Sequence, residues 1–145
     1  MTVKRIMNPN VVYLTPDDTV SHAARLLHRH KIGMLPICSK DGKLRGVVTD
    51  RDIAIRCVVF DNPPDETKLR DIMTRGIITI SPDDDITEAA NTMAIEQVRR
   101  LPVVEDSRIV GILSLADIAT RNSYNTEFSS ALAEICIPEN KFKKF

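Results

Sequence analysis

The sequence predicts an α/β (α+β) fold made of two β-α-β-β-α units packed with quasi-twofold symmetry. Three observations carry that expectation. The chain repeats itself at a fixed offset; each repeat alternates β-prone apolar runs with amphipathic stretches; and one repeat alone is too short to bury a comfortable core.

The repeat is visible by eye. Residues 6–18, Ile-Met-Asn-Pro-Asn-Val-Val-Tyr-Leu-Thr-Pro-Asp-Asp, match residues 72–84, Ile-Met-Thr-Arg-Gly-Ile-Ile-Thr-Ile-Ser-Pro-Asp-Asp, at an offset of 66. The offset persists through Ala23-Ala24 against Ala89-Ala90 and Leu35-Pro36 against Leu101-Pro102. One residue is then lost in a turn, and Gly46 to Ala54 aligns with Gly111 to Ala119 at an offset of 65.

Each element follows from local chemistry. Val11 to Leu14 is a short β-prone apolar run and predicts a strand. Thr15-Pro16-Asp17-Asp18 follows, with Thr15 as the expected N-cap, Pro16 at the first helical position and acids in the first turn. Ser81-Pro82-Asp83-Asp84 repeats the device. The helices behind are expected to turn inward Val20, Ala23, Ala24 and Leu27, then Ile86, Ala89, Ala90 and Met93. A hairpin follows, Met34–Cys38 and Leu44–Val48, with its turn at Asp41-Gly42. The second half offers Leu101–Val104 and Ile109–Leu113 around Asp106-Ser107. Thr49 and Ser114 open further helices, running to about Val59 and Arg121. The organisation is therefore residues 1–60 as first repeat, 61–68 as linker, 69–122 as second repeat and 123–145 as a tail.

Bulk properties argue against several classes. The 145 residues carry 20 basic and 20 acidic side chains, and a nucleic-acid binder ordinarily shows a basic excess. No run of about 18 apolar residues exists, so no membrane-spanning helix is expected. No signal peptide is visible at the N-terminus, and a cytoplasmic location is the expectation. Cys38, Cys57 and Cys136 form no C-x-x-C pair and read as thiols in a reducing compartment, with a Cys38–Cys57 redox pair as the alternative.

The repeated motifs resemble a tandem pair of CBS domains, named after cystathionine β-synthase. The resemblance runs from about residue 4 to 121. It rests on the two Ile-Met starts with their downstream proline, the two Leu-Pro strands, and the two ends Gly46-Val47-Val48-Thr49 with Asp52-Ile53 and Gly111-Ile112-Leu113-Ser114 with Asp117-Ile118. The whole is similar to small stand-alone bacterial CBS-pair proteins, the hypoxic-response type among them. That resemblance implies a Bateman-type regulatory module with two clefts, no required cofactor and no catalysis. It implies AMP, ADP or ATP as ligand ahead of S-adenosylmethionine or NAD. It also implies a homodimer, and a protein partner that reads the ligand state.

A nucleotide site needs a carboxylate for the ribose diol, donors for phosphate and apolar walls for the base. The resemblance places Thr49 and Asp52 in a first cleft with Ile77, Ile78, Arg99, Arg100 and Pro102. It places Ser114 and Asp117 in a second cleft with Val11, Val12, Gly33, Met34 and Pro36. The isoleucines would touch the base and the arginines the phosphate. Symmetry breaks here: Gly33-Met34 stands where the second repeat has Arg99-Arg100, so the second cleft lacks that clamp. Arg51 is expected to replace it in part. Thr49-x-x-Asp52 and Ser114-x-x-Asp117 also read as capping boxes, and Arg99-Arg100 also reads as solvated surface.

Nothing else rises to a site. His28 and His30 point to opposite sides of a helix, and His22 lies two turns from His30, so no metal is expected. No P-loop or dinucleotide glycine fingerprint exists. In the tail, Glu127–Cys136 reads as a short helix with Phe128, Leu132 and Ile135 inward, ended by Pro138. Lys141 to Phe145 is basic and aromatic, either a solvated end or a docking peptide. Two functions remain: a nucleotide sensor, or a dimerisation and partner-interaction protein whose clefts are vestigial.

Overall fold

The structure is a computed structural model and describes residues 1–121. The tail readings, Cys136 included, lie outside the described residues. Two antiparallel hairpins form the sheets. β1 (Met34–Cys38) pairs with β2 (Leu44–Thr49), and β3 (Arg100–Glu105) pairs with β4 (Arg108–Ser114). The registers correspond: Met34 faces Thr49 as Arg100 faces Ser114. Four helices complete the repeats: α1 (Val20–His30), α2 (Asp50–Ile53), α3 (Ile86–Glu96) and α4 (Leu115–Arg121). A π-helical turn, Ala54–Val58, continues α2.

The opening strand of each repeat is shorter than the sequence predicts. Val11 to Leu14 makes one parallel bridge, Leu14 to Ile37, and the second repeat makes the matching bridge Ile80 to Val103. Leu14 N–H donates to Pro36 O at 3.2 Å, and Cys38 N–H donates to Leu14 O at 2.8 Å. The next rung of a parallel ladder would need an N–H from Pro36, which proline lacks. Pro102 stops the second ladder in the same way, with Ile80 N–H on Pro102 O at 3.1 Å.

The helix caps also move. Thr15 does not cap α1. It closes a tight turn instead, its N–H donating to Asp18 Oδ2 at 2.8 Å and its carbonyl accepting from Asp18 N–H at 3.1 Å. The helix starts four residues later, where Thr19 accepts from His22 N–H. Ser81 and Asp84 repeat the turn, and Asp85 caps α3. Once the turn has used the Asp18 carboxylate, the orphan helix amides need a fresh acceptor. Ala24 points to solvent rather than inward, and Leu26 takes its place in the core.

The packing units exchange their first segments. Leu69, Ile72 and Met73 join the core of α1, β1 and β2, whereas Val3 and Ile6 join the core of α3, β3 and β4. Backbone bonds fasten both exchanges: Leu69 N–H to Asp18 O at 2.9 Å, and Val3 N–H to Asp84 O at 2.8 Å. The crossing segments run against Gly46 and Gly111. A methyl at Gly46 would lie 2.6 Å from Thr74 O, and one at Gly111 would lie 2.5 Å from Met7 Sδ. That explains the glycine opening both Gly-x-x-[Ser/Thr] ends.

Cys38 and Cys57 are buried free thiols, and burial pushes Cys38 up to about 11. Among the described residues no helix is long and apolar enough to cross a membrane.

Candidate ligand site between the repeats

The hairpin β1–β2 delivers Thr49 to the start of α2, and the chain then closes a capping box. Asp52 N–H donates to Thr49 Oγ1 at 3.2 Å, and Thr49 N–H donates to Asp52 Oδ2 at 3.0 Å. The hydrogen bonds draw the carboxylate inward until Asp52 is 7% exposed. Two further groups approach it. Thr74 Oγ1 lies 3.4 Å from Oδ1, and Arg56 Nη1 lies 3.9 Å from the same oxygen. Arg56 also donates to Ile72 O at 3.1 Å and to Thr74 Oγ1 at 3.2 Å. The π-helical turn carries Arg56, so α2 is tied to the crossing segment of the second repeat.

Beside this carboxylate opens a cavity of about 730 Å³, within the range of small-molecule sites. Thr49, Asp52, Ile77, Ile78, Arg99, Arg100 and Pro102, drawn from both repeats, all line it. Gly33, Met34 and Arg51, expected in the second cleft, line this cavity too. Arg51 precedes Asp52 on α2 and is exposed at the cavity's rim, whereas Asp52 is buried. Gly33 sits against Arg100: a methyl there would lie 3.2 Å from Arg100 Nη1 and 3.5 Å from Cζ. The small residue of one repeat thus makes room for the large one of the other.

The remaining residues expected in the second cleft do not line this cavity. Ser114 and Asp117 close the equivalent capping box, with Ser114 N–H on Asp117 Oδ2 at 2.9 Å and Asp117 N–H on Ser114 Oγ at 3.0 Å. Val11 and Val12 are half-buried, Val12 against the first core, and Pro36 is buried in β1. Both capping-box readings therefore hold in the structure. Sequence reasoning missed Thr74, Arg56, Gly76 and Gln97. Thr74 sits where the first repeat has Asn8, and no motif marks either position.

The CBS-domain family model matches residues 3–58 and 69–123, two copies that straddle this cavity. The chain belongs to the CBS-domain family. It is 34% identical over 134 residues to the CBS domain-containing protein YhcV of Bacillus subtilis, covering 92% of this chain and 94% of that one. Hypoxic response protein 1 of Mycobacterium tuberculosis is 37% identical over 118 residues, covering 81% of this chain and 82% of that one. A solved structure of Hypoxic Response Protein I, with two coordinated zinc ions, aligns with TM-score 0.78 at 36% identity, over 83% of this chain and 98% of that chain. The CBS domain pair of protein MJ0100, in complex with 5′-methylthioadenosine and S-adenosyl-L-methionine, aligns with TM-score 0.74 at 31% identity, over 83% and 94%. Among the described residues no cluster of three or more His, Cys, Asp or Glu side chains is placed to hold a metal ion.

Proposed function

We propose that this chain is a regulatory, non-catalytic module that binds a phosphorylated adenosine compound, AMP, ADP or ATP, between its repeats. In this reading it works in the cytoplasm as a homodimer and reports cellular energy state to a protein partner. One observation carries the reading: a single cavity joins a capping box that holds one carboxylate (Thr49, Asp52), an apolar wall (Ile77, Ile78) and two adjacent arginines (Arg99, Arg100). Asp52 would accept from the ribose diol, the isoleucines would sandwich the base, and the arginines would hold phosphate by charge-assisted bonds. The adenosine compounds bound by MJ0100 support the nucleoside half of this assignment. The arginines favour an anionic ligand over the sulfonium cation of S-adenosylmethionine. NAD fits the same chemistry less economically, having a second nucleoside to accommodate.

Ligand binding would shift the placement of one repeat on the other. The crossing segments make that coupling direct, because Thr74 touches both Asp52 and the backbone of Val47. The rival reading, a partner-interaction protein with no nucleotide, draws on one fact: Asp52 is already satisfied by Thr49 and flanked by Arg56.

Titration calorimetry with AMP, ATP, adenosine and S-adenosylmethionine tests the proposal. Arg100→Ala should weaken AMP and ATP by about 10- to 100-fold, the worth of one charge-assisted bond, and leave adenosine unchanged. Equal affinity for AMP in the variant removes the phosphate clamp. No stabilisation of the unaltered chain by any of these compounds favours the rival, because binding to the native state must raise its stability.

A further inference from the structure

The charged side chains that line the cavity between the repeats balance: Asp50, Asp52 and Glu96 against Arg51, Arg99 and Arg100. They are sorted by depth. Asp52 is buried and Arg100 half-buried, while Asp50, Arg51, Glu96 and Arg99 are exposed at the rim. Two of the carboxylates are engaged. Asp52 closes the box with Thr49, and Asp50 Oδ1 accepts from Arg51 N–H at 3.0 Å. Among the described residues, no hydrogen bond or ion pair reaches the Glu96 carboxylate.

The repeat pattern sets this acid beside the arginines. At the offset of 66, Glu96-Gln97 stands where the first repeat has His30-Lys31, and Arg99-Arg100 where it has Gly33-Met34. Gln97, at φ 57°, turns the chain out of α3, so Glu96 and Arg99 flank that turn. The carboxylate enters only in the repeat that carries the arginines, and all of them line one cavity. A monophosphate carries a charge of about −1.5 to −2 near neutral pH. At the half-buried Arg100, with Arg99 beside it, that charge is met by charge-assisted bonds. Each further phosphate extends towards the rim, where Asp50 and Glu96 offset Arg51 and Arg99. There the unengaged carboxylate repels it, with a force that solvent weakens but does not abolish.

We propose that Glu96 is a specificity-determining residue: it confines the site to nucleoside monophosphates by repelling the outer phosphates of di- and triphosphates. The inference rests on the reading that phosphate lies at Arg99 and Arg100, and adds which member of the series the site admits. Attraction at Arg100 serves all three nucleotides alike, so it cannot choose among them. Discrimination needs a repulsive element beyond the first phosphate, and Glu96 supplies it.

Calorimetric titration of the full chain with AMP, ADP and ATP, without divalent cations, tests this. AMP should bind the unaltered chain at least as tightly as ATP. Glu96→Gln should raise the affinity for ATP about 3-fold relative to AMP, and Glu96→Lys about 10-fold, with ADP between the two. Glu88→Gln is the control: it lies about 12 Å back along α3, outside the cavity lining, and should leave the ratio unchanged. An unaltered chain that binds ATP about 10-fold tighter than AMP overturns the inference. A ratio that neither Glu96 variant moves, or that Glu88→Gln moves as far, overturns it too. So does a magnesium-dependent gain in ATP affinity that Glu96→Gln abolishes, since the carboxylate then holds a cation for the phosphates rather than repelling them. Those outcomes leave nucleotide binding standing, whereas a chain that binds none of the three removes the underlying reading and this inference with it.

Discussion

In the first repeat the carboxylate that boxes the helix start is Asp52, which is 7% exposed and approached by both Thr74 and Arg56. In the second repeat the equivalent Asp117 closes the same box with Ser114 and stays half-buried. The local motif is the same, but the segments that cross over it differ. The segment after the linker brings Thr74 to Asp52, whereas the N-terminal segment brings Asn8 to the second site. A repeated motif thus supplies a repeated cap, and the non-repeated neighbours decide how deeply the cap is embedded.

The largest expected effect breaks this comparison directly. Asp52→Ala removes the acceptor of Thr49 N–H and the carboxylate that Thr74 and Arg56 approach, while Arg56 keeps its bonds to Ile72 O and Thr74 Oγ1. It should cost about 2 kcal/mol in urea unfolding, against about 1 kcal/mol for Asp117→Ala, where Asn8 stands in place of Thr74. Equal costs would show that the crossing segment adds nothing to the first carboxylate.

A second contrast concerns the two glycines beneath the crossing segments. An added methyl at Gly46 meets a backbone oxygen, Thr74 O, at 2.6 Å. At Gly111 the nearest atom is the end of a flexible side chain, Met7 Sδ at 2.5 Å, with Asn8 O at 3.2 Å. Backbone cannot yield as a methionine tip can. Gly46→Ala should therefore destabilise by about 2 kcal/mol and Gly111→Ala by about 1 kcal/mol or less. The reverse order, measured by thermal or urea unfolding, would place the tighter crossing in the second half.

Much of this was legible in the sequence, for reasons that can be named. Hairpins β1–β2 and β3–β4, and the starts of α2 and α4, rest on local chemistry: short continuous apolar runs, Asp41-Gly42, and a hydroxyl three residues before an aspartate. The opening strands were over-read because the apolar run Val11–Leu14 says nothing about its partner. The missing donor that truncates it belongs to Pro36, more than twenty residues away. The Thr15 cap failed because Asp18 competes for the same backbone groups. The exchange of first segments was invisible, since Ile6 and Ile72 read as core residues whichever core takes them. At the candidate site, the residues assigned to the first cleft do meet around one cavity. The division of Gly33, Met34 and Arg51 between clefts was not readable, because residues beside a twofold axis can face either side.

Gly33 sharpens the comparison most finely. It stands where the second repeat has Arg99, and its missing side chain is the surface against which the Arg100 guanidinium lies, 3.2–3.5 Å from where a methyl would be. Nothing but a flexible side chain opposes the methyl of Gly33→Ala, so the fold should hold, with stability within about 0.5 kcal/mol. Arg100 would be displaced by a few tenths of an ångström. If its guanidinium clamps phosphate, that displacement should weaken AMP by about 3-fold, measured by calorimetry, while adenosine binds as before. A loss shared equally by AMP and adenosine would mean that Gly33 shapes the cavity wall rather than the arginine. Unchanged affinity for both would mean that the break in symmetry at this position serves packing alone.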